Sequence, residues 1–347
     1  MGTNPFESIK ASKVILPIFI GLGVVAFMVF REFDATVFSK FSFTWKSVLW
    51  LCVAMLCMVG RDLGYMIRIR ILSEKKLSWL QSFRVIMLWE FTSAVTPGAI
   101  GGTGVATLFV HKEGISVGRS SAIVMVTSLL DELYFVILFP LLVLIVGGAK
   151  LFAIPDSPAW THGITALILT GYGIKLVWVI ALSYGLFFNP RGLSRLIYRI
   201  FHLPVIRPWK RGAGRAAIDI ISTSEEMKSK KRKYWINAFL STFLSWTSRY
   251  WVVNFLFLAF FAVNDHFLIF ARQLVMWIIL VVTPTPGGSG VAEFTFSVFL
   301  GEFIPFAGFA IALALLWRLV SYYPYLLIGA LVVPKWINDK FKKPAIF

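Results

Sequence analysis

The sequence predicts an all-α polytopic membrane protein: about six full spans plus two broken or re-entrant helical hairpins in an inverted repeat, forming one transmembrane domain over residues 1–347. Three observations carry this expectation. Of the 347 residues, 58% are hydrophobic and only 15% are charged, against about 25% charged in a soluble domain, and the mean hydropathy is +0.78. Six apolar runs approach or exceed the roughly 20 residues that a helix needs to cross hydrocarbon. Finally, Gly-Gly-(Ser/Thr)-Gly-Val-Ala occurs twice, at 101–106 and 287–292, each time shortly after a proline.

The first run, 14–30, follows Lys10 and Lys13. No small-x-small cleavage site follows it, so it reads as a retained span rather than a signal peptide. The second, 46–65, holds Cys52 and Cys57, the two cysteines of the chain; sharing one span, they make neither a disulfide framework nor a metal-site spacing. The stretch 77–112 contains the first glycine motif, and 121–146 and 163–188 are continuous spans. The polar segment 189–233 carries twelve Lys and Arg residues and is too short and too basic for an independent enzyme. Within it, LSRLIYRIFHL at 193–203 sets basic against apolar positions at helical spacing, as in a helix lying on an anionic leaflet. The runs 234–263 and 306–333 flank the second motif-bearing stretch, 267–302.

Charge orders these elements across the membrane. The net charge of +17 is dispersed over the connections between spans, which points to topology rather than to nucleic acid. Six basic residues in 61–84, twelve in 189–233 and four after Pro334 place those segments in the cytoplasm. The connections 147–162 and 264–269 hold one and none, and so lie outside. Both termini are then cytoplasmic. With 121–146 and 306–333 each crossing once, 77–112 must leave and return to the inner face, and 267–302 must leave and return to the outer face. The two motifs become the tips of hairpins that enter from opposite sides, as inverted-repeat transporters arrange their substrate sites.

Pro97, Pro284 and Pro286 should stop each first arm. Gly98, Gly101, Gly102 and Gly104, with Gly287, Gly288 and Gly290, then permit irregular backbone, which membranes tolerate only where protein or a polar cavity satisfies it. Helices restarting at Val105 and Val291 would present free N–H groups to an anion. Neither motif is a nucleotide loop, because no Lys-Ser/Thr follows the glycines; close packing through small residues is the plainer use of such stretches. The histidines His111, His162, His202 and His266 are scattered, so no metal and no cofactor is expected.

Ionisable residues inside spans are expensive and default to functional roles. They are Glu90, Asp131, Glu132, Arg249, Arg272, Glu293 and Arg318. Arg318, about twelve residues into the last span, needs a partner among Glu293, Asp131 and Glu132 or in a bound anionic head group. Glu293 could instead cap a helix start; Arg318 is expected to pair with a carboxylate when the site is empty and to lie close to phosphate when it is loaded, with a purely structural ion pair as the alternative. Tyr250, Trp251, Tyr322 and Tyr323 could line a cavity, although interfacial packing is the usual role of such rings.

TPGAIGGTGVA at 96–106, PTPGGSGVAE at 284–293 and WRLVSYYP at 317–324 resemble the lysylphosphatidylglycerol synthase transmembrane-region family over nearly the whole chain. The resemblance implies a lipid-translocase-like fold. In bifunctional members this region moves aminoacylated phosphatidylglycerol between leaflets, and some stand-alone members are linked to polyprenyl-phosphate sugars. Carried across, it marks Pro97, Gly98, Gly101 and Gly102, Gly287, Gly288, Gly290 and Glu293, and Arg318. Asp131 fits the acidic end of a family element that usually carries Glu-Arg upstream, but residues 127–131 read Thr-Ser-Leu-Leu-Asp, without the arginine.

The expected function is to bind and pass an anionic or phosphate-bearing lipid between leaflets of the inner membrane. The substrate site would draw on Arg318, Glu293, Asp131, Glu132, Arg249, Gly101, Gly102, Gly287, Gly288, Gly290, Pro97 and Pro286. No enzymatic role is expected, since the aminoacyl-transferase domain of bifunctional members is lacking. An intramembrane enzyme or accessory subunit acting on a lipid-linked phosphate or sugar, using Asp131 with Glu132, is the alternative. Expected partners are membrane lipids, a lipid-modifying synthase or glycosyltransferase, and a second copy of the chain, but no nucleic acid.

Overall fold

The computed structural model describes residues 43–95, 98–153, 158–200, 221–280, 291–305 and 309–341. Pro97, Pro286, Gly287, Gly288 and Gly290, and with them the core of the second motif, lie outside these residues, as does the run 14–30. The helices in chain order are α1 (Trp45–Leu72), α2 (Trp79–Val95), α3 (Gly98–Lys112), α4 (Val117–Val146), the short α5 (Gly148–Phe152), α6 (Pro158–Ser183), α7 (Pro190–Ile200), α8 (Arg232–Phe260), α9 (His266–Leu280), α10 (Val291–Leu300), α11 (Phe309–Ser321) and α12 (Tyr323–Phe341). Among the described residues, four helical stretches are long and apolar enough to cross a membrane: Trp45–Leu72, Val117–Val146, Gly163–Phe188 and Phe309–Lys340. The protein is an all-α polytopic membrane protein, and its outer surface agrees. Leu56, Leu144, Ile145, Val177, Phe188, Leu327 and Leu331 are all exposed, a surface that suits lipid and would aggregate in water.

One order of elements occurs twice: a long helix, two shorter helices, then another helix (α1, α2/α3, α4 and α8, α9/α10, α11). The two long leading helices, α1 and α8, pack on each other at the centre. Close approach is allowed by Gly60 and Gly64, spaced as Gly-x-x-x-Gly, against serines of α8. A Cβ added at Gly64 would lie 2.7 Å from the Ser241 carbonyl oxygen, and one at Gly60 would lie 3.3 Å from Ser248 Oγ. Small residues are the usual means of such contact in lipid, where no hydrophobic force draws helices together. Ser245 Oγ seals the crossing by donating to the Arg61 carbonyl at 2.9 Å.

Local signals set the helix ends. Thr44 caps α1 in a reciprocal box with Ser47. At the other end Glu74 and Lys75 take positive φ of 53° and 60°, and the Lys75 N–H closes the helix on the Arg70 carbonyl at 2.7 Å. Gly147, at φ 83°, turns the chain out of α4. Pro324 cannot continue the backbone ladder, and the last span divides at Tyr322 into α11 and α12.

Two sequence expectations change here. The helix after the first motif begins at Gly98 rather than Val105, so Gly101 and Gly102 lie inside it, and its free N–H groups start upstream of them. In apolar surroundings an unpaired N–H costs more than the roughly 1 kcal/mol by which glycine disfavours a helix. Second, α1 runs on to Leu72. Arg61 and Arg68, which were counted among the cytoplasmic loop charges, are instead 1% and 3% exposed within the bundle.

The α1–α2 turn is tied to the segment before α8. Arg119 bonds Glu74 at 2.5 Å and Glu226 at 2.9 Å, and Lys230 bonds them at 2.8 and 3.1 Å. Hydrogen bonding with Glu226, then with Lys230 and Arg119, holds the Glu74 carboxyl at about 2, against about 4.3 for a free glutamate. A depressed carboxylate stabilises the fold above its unfolded pKa and loses that contribution as pH falls towards the folded value. The melting temperature in detergent should therefore drop between about pH 4.5 and 2, and Glu74→Gln should flatten that segment of the profile. Identical profiles for the two proteins would remove this role.

Candidate functional site

The last span joins the two motif-bearing hairpins. Arg318, 5% exposed in the final turn of α11, donates from Nε to Glu293 Oε1 at 2.6 Å. Glu293 directly follows the second hexapeptide, in the first turn of α10. One turn beyond Arg318, Tyr322 Oη donates to the Ala94 carbonyl at 2.8 Å, at the end of α2 just before Thr96 and Pro97. The Arg318 guanidinium also lies 4.7 Å from the Tyr322 ring centroid. Residues 318–322 thus hold the exit of one motif and the entry of the other.

A second guanidinium lies nearby in α1. Arg61 pairs with Asp62 at 2.9 Å and with Glu90 of α2, and it sits over the rings of Tyr65 and Tyr325 at 4.9 and 4.7 Å. Tyr325 Oη donates to both Asp62 oxygens, at 3.0 and 2.9 Å. The third, Arg249 of α8, is different. It lies over Trp277 at 4.5 Å and Trp246 at 5.6 Å, and among the described residues neither a carboxylate nor a hydrogen-bond acceptor pairs with it. A space of about 10 Å³ beside it is lined by Tyr250, Gln273, Trp277, Phe296 and Trp317, and reaches Leu280, the last residue of α9. That volume holds about one water. Tyr250 Oη is buried there with no partner among the described residues.

Two guanidinium groups are therefore in contact with carboxylates, while among the described residues the third contacts ring faces. A cation held on aromatic faces at low dielectric is primed for an anion, and a guanidinium grips phosphate with two parallel N–H bonds.

Asp131 and Glu132 do not reach Arg318. Adjacent residues of a helix point about 100° apart, so the two carboxylates of α4 serve different neighbours. Asp131 takes both Nη atoms of Arg68 at 2.5 and 3.1 Å and Trp246 Nε1 at 2.7 Å, and Arg68 also donates to Thr242 at 3.0 Å. Glu132 pairs with Lys175 of α6 at 2.6 Å, whose ammonium stands 4.2 Å from the Phe135 ring centroid. Arg68, coming from α1, meets the carboxylate that has no arginine beside it in the stretch 127–131. Trp246, in contact with both Asp131 and Arg249, borders both networks.

Arg272 is a clamp. It is 2% exposed, and it donates to the Phe299 carbonyl at 2.8 Å and the Lys150 carbonyl at 2.9 Å and pairs with Glu302 at 2.7 Å, closing the C-terminal end of α10. Among the described residues no three His, Cys, Asp or Glu side chains converge as metal ligands. Sequence reasoning missed Arg61, Asp62, Arg68, Lys175 and Tyr325. Lys175 carried a usable signal, an ammonium alone in a long apolar run.

A family model described as the lysylphosphatidylglycerol synthase TM region matches residues 14–329. A membrane protein of Archaeoglobus fulgidus, described as a UPF0104 membrane protein, is 25% identical over 322 residues, covering 88% of this chain and 94% of the relative.

Proposed function

The chain belongs to the lysylphosphatidylglycerol synthase transmembrane-region family, and from that membership we propose that it binds the phosphate of an anionic or phosphate-bearing lipid head group at Arg249 and passes the lipid between leaflets. The observation that carries this reading is the contrast among the three guanidinium groups: Arg61 and Arg318 have carboxylate partners, whereas Arg249 lies over Trp277 and Trp246 with no carboxylate in direct contact among the described residues. The repeated order of elements supports two opposed gates. The site acts as a carrier rather than a catalyst, in the inner membrane with both termini cytoplasmic. The lipid is of the aminoacylated phosphatidylglycerol or polyprenyl-phosphate type.

Reconstitution into liposomes with fluorescent phosphatidylglycerol or a polyprenyl phosphate tests this. Leaflet exchange should exceed that of empty vesicles. Arg249→Gln should slow it by about tenfold or more, as expected for loss of a charge-assisted bond of roughly 1.5–3 kcal/mol. Exchange equal to empty vesicles, or unchanged by the substitution, would refute the reading. Orientation has a separate check. Single cysteines at positions 102 and 288, with Cys52 and Cys57 replaced, should label from opposite sides of sealed vesicles; labelling from one side would remove the opposed gates.

A further inference from the structure

Away from the arginines, a groove of about 390 Å³ opens on the flank of α4, lined by Leu129, Leu130, Leu133, Ser183, Phe187 and Trp235, with Lys228 at one end. Its walls are almost wholly apolar and its size falls in the range of small-molecule sites. The Trp246–Asp131 bond sets the relative height of α8 and α4. Trp235, eleven residues before Trp246 on α8, lines the same groove as Leu129, Leu130 and Leu133 of α4. An apolar trough between helices is a surface along which an acyl chain can lie.

The end with Trp235 and Lys228 is basic. Lys228 is exposed, and among the described residues no carboxylate pairs with it. The chain beside it turns through one π-helical turn, Tyr184–Phe188, which brings Phe187 edge-on to Trp235 at 5.2 Å. π-Helical turns of this kind are uncommon and concentrate at functional sites. From it α7 folds back, Leu193 packing over Gly185, and exposes Arg191, Arg195 and Arg199 along one face. An apolar slot lined by an ammonium that no carboxylate pairs among the described residues, next to a basic surface helix, matches an anionic amphiphile in charge.

We propose that this groove is a binding site for one anionic phospholipid of the leaflet that faces segment 189–233, with its phosphate at Lys228 and an acyl chain along Leu129, Leu130 and Leu133. The site is distinct from the one at Arg249 and does not depend on transport.

Phosphatidylglycerol with a photoactivatable acyl chain, incorporated in vesicles of otherwise zwitterionic phosphatidylcholine containing the full-length protein, tests it by peptide mapping of the adducts. Adducts are expected at 129–133 and 183–187, in the Arg249→Gln protein as well as the parent. Lys228→Gln, at an exposed position that the fold does not need, should lower their yield by about fivefold. A photoactivatable phosphatidylcholine should label there by a similarly small amount. Equal labelling by the two lipids, insensitivity to Lys228→Gln, or adducts confined to the surroundings of Arg249 would overturn the proposal. So would an unlabelled groove whose introduced Ser183→Cys thiol cross-links to a second copy of the chain.

Discussion

Arg68→Met is expected to destabilise the protein by about 3–5 kcal/mol, the usual cost of leaving one member of a buried ion pair without the other. Asp131 would lose both guanidinium bonds and keep only Trp246 Nε1, while Thr242 would lose its donor. The cost falls on the stranded carboxylate more than on the lost attraction. Arg68→Met/Asp131→Asn should therefore recover most of it, because an amide carries no charge and its oxygen still accepts from Trp246. Unfolding of the purified variants in one detergent decides the matter: if the double substitution is no more stable than the single one, the pair is not the source of the effect.

The second large effect is steric. Gly64→Ala should cost about 1–3 kcal/mol, and Gly64→Leu should abolish recovery of folded protein, because overpacking a tight contact forces backbones apart. The new Cβ would meet Ser245 Oγ at 2.2 Å and the Ser241 carbonyl oxygen at 2.7 Å. The hydroxyl can be deleted but the carbonyl cannot move alone, so Ser245→Ala should rescue Gly64→Ala only partly. Gly173, in α6, provides the control: nothing lies within 4 Å of its added Cβ, and Gly173→Ala should be neutral or stabilising by up to about 1 kcal/mol through helix propensity. Equal losses at positions 64 and 173 would show that close approach is not the reason for the glycine.

The fold was largely legible in the sequence, because apolar run length is a direct consequence of bilayer thickness. The runs 121–146 and 163–188 reappear within α4 and α6 with their π-helical extension, and the amphipathic pattern at 193–203 overlaps α7. The pairing of Arg318 with Glu293 was also within reach, since a buried guanidinium must find an anion and Glu293 was among few candidates. Arg61 and Arg68 were not legible. Charge counting assigns 61–84 to the cytoplasm although Arg61 lies within the run 46–65, and nothing local signals that α1 continues by two turns past that run while Glu90 and Asp131 arrive from other helices. The start of α3 was misplaced because glycine's freedom in water is a poor guide in a medium where every N–H must be bonded.

The short stretch from Arg318 to Tyr322 acts as the beam of a balance. It grips Glu293 on one side and the Ala94 carbonyl on the other, and its far end is released from the following helix by the break before Pro324. A substitution that breaks either bond should therefore be felt both at the start of α10 and at the end of α2.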